Sequence, residues 1–187
     1  LKQSVEDLAM MRRSILDTVA IMDRFLHAER LRRGKMPVRP AETDARNTLE
    51  QIAKLLQYQL KDRNSTIEID APDDLKITTD PVVLTIILQN LLGNAIKYGG
   101  DDRIKMSAAP TAGGAVRISV IDHGPGVPPE KVAELFAPFA RGETYGQKGL
   151  GLGLWIVRHS ADLLKGKLWV ESTPGHGATF HLELPAV

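Results

Sequence analysis

Asp80-Pro81-Val82-Val83-Leu84-Thr85-Ile86-Ile87-Leu88-Gln89-Asn90-Leu91-Leu92-Gly93-Asn94-Ala95-Ile96-Lys97-Tyr98 is the stretch whose reading decides the fold. Asp80 followed by a proline opens a helix, because proline is at home in a first helical turn. The residues from Val82 to Ile96 are apolar almost all round, and such a helix is buried. Into it the sequence places Asn90 and Asn94, one turn apart on the same side, with Lys97 and Tyr98 continuing that strip. A buried amide without partners costs roughly 1–3 kcal/mol, so two of them need a reason. One reason is chemical: asparagine is a neutral oxygen ligand for magnesium when phosphates bring the negative charge. Lys97 would then meet phosphate oxygens and Tyr98 would cover a purine. The other is structural, with both amides capping neighbouring turns and Lys97 solvated. The helix alone does not choose between them.

Outward from this helix, short elements of both kinds alternate. A helix is predicted from a cap at Thr43 or Asp44 to about Leu60, with Leu49, Ile52, Leu56 and Leu60 on one face. Residues 65–70 and 75–79 read as strands, as do 103–107 and 115–121 across a Pro-Thr-Ala-Gly-Gly turn. A loop-rich stretch with a short helix over about 129–136 leads to a glycine loop and a helix over 154–164. Strands over 167–171 and 178–184 close the chain around a glycine turn. Strands and helices in this mixed order predict an α+β layer of helices on a mixed sheet.

The loops carry the remaining chemistry. The apolar strand Ile118–Ile121 runs into Asp122-His123-Gly124-Pro125-Gly126-Val127. A carboxylate ending a buried strand can accept from an adenine amino group, and Gly124 and Gly126 let the backbone approach a flat base. A plain turn explains the same glycines. Gly149-Leu150-Gly151-Leu152-Gly153-Leu154 enters a helix, where backbone N–H groups form an anion site that phosphates can approach. It is not a P-loop, because Lys148 precedes the glycines and no Gly-Lys-Ser/Thr follows. Nor is it a Rossmann fingerprint, whose spacing differs. Gly175-His176-Gly177-Ala178-Thr179 fits a hairpin turn as well as a ligand loop.

In order and content these blocks resemble the boxes of the catalytic domain of sensor histidine kinases, a member of the GHKL group with type II topoisomerases, mismatch-repair ATPases and heat-shock chaperone ATPases. Leu88–Tyr98 resembles the N box, Asp122–Val127 the G1 box, Leu135–Arg141 the F box, Gly149–Leu154 the G2 box and Gly175–Thr179 the G3 region. The resemblance spans about 43–185 and implies a two-layer sandwich of about three helices on a mixed five-stranded sheet. It implies ATP and Mg2+ as ligands, with Asn94 on the metal and Asn90 and Lys97 in catalytic roles. Asn90, Asn94, Lys97, Tyr98, Asp122, Gly124, Gly126, Val127, Arg141, Lys148, Gly149, Leu150, Gly151, Leu152, Gly153 and Thr179 are the expected ATP-binding residues. Asp122 would select adenine; Lys97, Arg141 and Lys148 would offset phosphate charge; and Thr179 would reach the adenine side. Phe136 and Phe139 are read as packing residues, and Gly142–Lys148 as a lid. Hydrolytic members of the group place glutamate where this chain has Asn90, and an amide cannot act as a base at neutral pH, which favours kinase over ATPase. A hydrolytic relative, a non-enzymatic nucleotide-binding scaffold and an anti-sigma-type protein kinase are the competing readings.

A kinase of this class also needs a phosphorylatable histidine, followed by an acidic residue and then Arg and Pro. None of the five histidines, His27, His123, His159, His176 and His181, sits in such a box. Leu1, Val5, Leu8, Arg12, Ile15, Val19, Met22 and Leu26 alternate by fours and threes, the seam of a coiled coil or bundle. Gly34, Pro37 and Pro40 stop that helix. Residues 1–39 are therefore expected to be the second helix of a dimerisation hairpin plus linker, and 40–187 the catalytic domain. The chain is expected to be an excised fragment with its acceptor before Leu1, able to bind ATP but not to autophosphorylate. Its expected partners are ATP/ADP, a response-regulator receiver domain and a second copy through the first helix. The net charge is +1, so no overall field recruits nucleic acid. With no cysteine there are no disulfides or thiolate metal sites. No apolar run suffices to cross a bilayer, and a cytoplasmic location is expected, whatever membrane anchor the parent carries upstream.

Overall fold

The computed structural model describes residues 2–60, 65–100, 103–139 and 151–186. The elements in chain order are α1 (Lys2–Arg32), β1 (Ala41–Asp44), α2 (Ala45–Leu56), β2 (Ile67–Asp70), β3 (Lys76–Thr79), α3 (Pro81–Tyr98), β4 (Ile104–Pro110), β5 (Val116–Asp122), α4 (Pro129–Val132), α5 (Gly153–Leu163), β6 (Lys167–Ser172) and β7 (Ala178–Leu184). Five strands form the main sheet in the order β2-β4-β5-β7-β6, parallel only between β2 and β4. The helices α2, α3 and α5 cover one face, which makes the mixed five-stranded α+β sandwich that the sequence leads one to expect.

Local chemistry sets the helix ends. Asp80 caps α3 by accepting from Val82 N and Val83 N, while its other oxygen accepts from Arg39 N at 2.6 Å. Burial pushes this carboxyl up, yet the three N–H groups outweigh it and hold it below the usual aspartate range. One side chain thus fixes both the helix start and the incoming linker. Asp80→Ala is expected to cost about 1–2 kcal/mol, a typical cap loss, readable as a lower midpoint in urea unfolding. Asp44 caps α2 through Asn47 N at 2.8 Å.

Two departures from the sequence reading have physical causes. Ala41–Asp44 is a strand, not merely the approach to a helix, and pairs antiparallel with β3 in a separate two-stranded sheet. Four residues are too few for alternation to show in sequence. Helix α2 ends at Leu56, and a single 3-10 turn, Gln57–Leu60, carries Leu60 into the core.

The core lies between α3 and the inner face of the sheet. Val83, Leu84, Ile87, Leu88, Leu91, Leu92 and Ala95 of α3 meet Met106, Ile118, Val120 and Leu182 of the strands and Val157 and Ala161 of α5. Each large aliphatic side chain so buried contributes about 1.5–3 kcal/mol before entropy is set against it. A second, small cluster joins Ala28 of α1 to Ile86, Leu152 and Ile156, with Leu31, Met36 and Trp155 packed against it. The end of α1 therefore packs on the rest of the chain. Further up, Leu8, Ile15, Val19, Met22 and Leu26 of the expected seam are exposed, beside Met11 and Phe25. Leu1 and the side chains of Val5 and Arg12 lie outside the described residues. No helix among the described residues is long and apolar enough to cross a membrane.

Candidate functional site

The site forms where the last turns of α3, the start of α5 and one end of the sheet meet. Asn90 and Asn94 lie on one side of α3, both half-buried. Asn90 Nδ2 donates to Ile86 O at 2.8 Å, one turn back along the same helix. That bond settles the amide nitrogen and turns the oxygen outward. A Cβ placed on Gly153 would stand 3.2 Å from Asn90 Oδ1 and 3.9 Å from Asn94 Oδ1. Both amide oxygens therefore converge on the N-terminus of α5, where glycine leaves the space between them clear. Local capping thus accounts for the nitrogen of Asn90 but not for the two oxygens.

The carboxylate end is built by cross-strand register. Asp122, the last residue of β5, stands opposite Ala178, the first of β7, which in turn stands opposite Ser172, the last of β6. Asp122 Oδ1 accepts from Gly124 N at 2.9 Å and Ala178 N at 3.3 Å, leaving Oδ2 for an incoming N–H. The residue is 8% exposed. Burial raises its carboxyl above the usual range, and the two N–H groups only partly offset that. The loops on either side touch backbone to backbone. A Cβ on Gly177, at φ +87°, would run into the carbonyl of Asp122, and one on Gly124 would run into that of Tyr98. Those two glycines serve the mutual packing of the loops.

The remaining expected residues divide clearly. Lys97 Nζ lies 4.8 Å from the centre of the Tyr98 ring, and that ring is 44% exposed at the rim, placed to cover a base. Gly126 and Val127 continue the Asp122 loop, with Val127 N donating to Ser172 Oγ. Gly151 precedes α5 in a left-handed conformation, and Leu152 is buried in the small cluster with Ala28. Arg141, Lys148, Gly149 and Leu150 lie outside the described residues, as does the expected lid.

Two expectations are corrected. Thr179 does not point into the site: buried Ala178, Phe180 and Leu182 alternate with it, so the pleat puts Thr179 with His181 and Glu183 on the outer face. The inward residue there is Ala178, which serves through its amide. Phe139 does not pack either. It is 64% exposed at φ +62°, whereas Phe136 does rest against the core. Sequence reasoning missed Ser172, whose hydroxyl joins two loops, and Gly99, where a Cβ would meet Asp122 Cβ at 3.0 Å. A serine before Thr-Pro-Gly reads as an ordinary turn residue, and its partner 45 positions away leaves no local signal.

Residues 79–187 match the model of the histidine kinase-, DNA gyrase B- and HSP90-like ATPase family. The chain belongs to this family. Among curated relatives of this ATPase family member, the adaptive-response sensory kinase SasA of Crocosphaera subtropica is 31% identical over 86% of the chain and 43% of its own length. The sensor-like histidine kinase SenX3 of Mycobacterium bovis is 38% identical over 66% of the chain and 32% of its own length. The chain thus spans less than half of either relative. Full-length ShkA in complex with AMPPNP superposes with a TM-score of 0.85 at 31% identity, covering 95% of this chain and 37% of that one. The catalytic domain of the histidine kinase ThkA superposes at 0.70 with 29% identity, covering 79% of this chain and 95% of that one. The α+β fold expected from the sequence is therefore this family's.

Proposed function

We propose that the chain is the ATP-binding catalytic part of a sensor histidine kinase, and that the protein it serves passes the γ-phosphoryl of ATP to a histidine and on to an aspartate of a response regulator. The observation that carries this reading is the convergence of the Asn90 and Asn94 oxygens on the start of α5, across from the buried Asp122. The residues present fit the ligands they would hold. Asp122 Oδ2 is an acceptor for the adenine amino group. The open start of α5 offers N–H groups to phosphate. The neutral Asn94 oxygen suits a magnesium ion that arrives with phosphate charge.

When bound, ATP supplies the transferable phosphoryl group and magnesium spreads its charge. The chain contributes positioning and charge complementarity, the two terms that dominate such transfers. Asp122 sets the base, Tyr98 covers it, Asn94 holds the metal, and Lys97 adds a cation near the phosphates. Asn90 orients the amide pair. Its amide cannot take a proton, which favours transfer to histidine over activation of water. A hydrolytic role, a purely scaffolding role and an anti-sigma-type kinase are the readings this chemistry opposes.

Residues 1–39 are proposed to be a dimerisation helix plus linker and 40–187 the catalytic domain. The exposed stripe from Leu8 to Leu26 supports pairing with a second copy. None of the described histidines looks like the acceptor. The His27 Nδ1–H donates to Asp23 O at 3.0 Å, and His159 makes the same bond to Trp155 O at 2.9 Å, an ordinary habit of helical histidines. We place the acceptor on a segment outside these residues and expect a cytoplasmic setting for the site.

Calorimetry of the chain with MgATP tests the pocket, and incubation with γ-labelled ATP tests the acceptor. Heat of binding is expected with no stable label on the protein. A folded chain giving no heat overturns the nucleotide reading, and label retained on His27 overturns the placement of the acceptor.

A further inference from the structure

We propose that Ser172 is a positioning residue for base selection: its hydroxyl locks together the two loops that supply both N–H donors to Asp122. The inference rests on the nucleotide reading and names a residue that carries its specificity.

The geometry is closed on every side. Ser172 Oγ accepts from Val127 N at 2.8 Å and donates to Gly177 O at 2.7 Å. A serine hydroxyl has a single proton, so these two bonds fix its direction. Val127 lies three residues beyond Gly124, and Gly177 immediately precedes Ala178. Gly124 N and Ala178 N are the two groups that hold Asp122 Oδ1. Gly175 N→Pro125 O at 2.7 Å is a second tie between the same loops, farther out at their tips. Ser172 is the tie at their base, one strand away from Asp122 with only Ala178 between them.

A serine that merely shaped its own turn would bond within a few residues. Here one of its two partners stands 45 residues away. Loosening this tie lets Gly124 and Ala178 move independently, and the carboxylate then loses its fixed aim before the fold loses its core. Because Gly177 has no room between its Cα and the Asp122 carbonyl, any shift of the turn is passed directly to that residue.

The experiment measures the ratio of GTP to ATP dissociation constants for the 187-residue chain and for Ser172→Ala and Ser172→Thr. Ser172→Ala is expected to weaken ATP binding and reduce the ratio about tenfold, the loss of one well-placed hydrogen bond, while tripolyphosphate affinity stays the same. Ser172→Thr, which keeps the hydroxyl on a strand that tolerates β-branching, is expected to restore the ratio. An unchanged ratio in folded Ser172→Ala, or a ratio that Ser172→Thr fails to restore, overturns the inference while leaving the nucleotide reading intact. No ATP binding by the unaltered chain overturns both. Hydrogen exchange of the unaltered protein gives a check independent of any variant: Val127 N–H should exchange slowly, and more slowly with adenosine. Fast exchange of that amide overturns the clamp.

Discussion

Asp122→Asn is expected to weaken ATP binding by about 10- to 150-fold, the value of a hydrogen bond to a charged acceptor, while leaving the ligand-free protein at least as stable. Asparagine keeps an oxygen where Oδ1 accepts from Gly124 N and Ala178 N, so neither buried donor is orphaned. What changes is the other atom. An NH2 group replaces Oδ2 and faces the adenine amino group donor to donor, whereas it can give to the oxygen of guanine. Discrimination against GTP should therefore shrink together with ATP affinity. Asp122→Ala is the harsher change, since it strips both N–H groups of their partner. ATP affinity of Asp122→Asn equal to that of the unaltered chain would rule out this carboxylate as the base selector.

The same residue sets a pH dependence. Its carboxyl is raised in the folded state, chiefly by burial, so the folded protein binds this proton more tightly than the unfolded chain does. The cost of burying the ionised form is therefore fully present above the folded value, fades as pH falls through it, and is gone below the unfolded value. Ligand-free stability from this group rises on acidification. Binding that needs the ionised carboxylate is lost over the same window, above the range in which an ordinary aspartate titrates. Asp122→Asn removes both trends, so stability and affinity measured in parallel across that range separate this group from every other carboxylate.

How far the sequence could be read depended on the range of the interactions. The buried helix, the cap at Asp80 and the 178–184 strand are local signals of period and composition, and they appear in the structure within a residue or two. The aim of Asn90 and Asn94 followed from their spacing, because a helix fixes which side a residue faces. Thr179 failed for an equally simple reason: a strand reverses its side chains at every step, and assigning it to the wrong one moved it through the sheet. Phe139 failed because its left-handed backbone turns the ring outward, which no pattern of apolar residues announces. Ser172 and Gly99 act through contacts with distant loops, and such contacts exist only once the register of β5, β6 and β7 is set.

At the metal end, Asn94→Ala is expected to abolish the gain in ATP affinity that magnesium brings, a change on the order of 10- to 100-fold, while adenosine affinity stays the same. The two amides are not equivalent. Asn90 spends its nitrogen on Ile86 O and so has its oxygen aimed by its own helix. Truncating it should loosen the pair without removing the ligand, giving the smaller loss. Asn94→Asp separates charge from geometry: it keeps an oxygen in place but sets a negative group beside the triphosphate, so binding of ATP without metal should fall furthest in that variant. Titrations of each protein with ATP, with and without magnesium, and with adenosine alone decide the matter. A magnesium-dependent gain that survives Asn94→Ala intact would move the metal away from α3, leaving the convergence of both amide oxygens on Gly153 without a ligand to explain it.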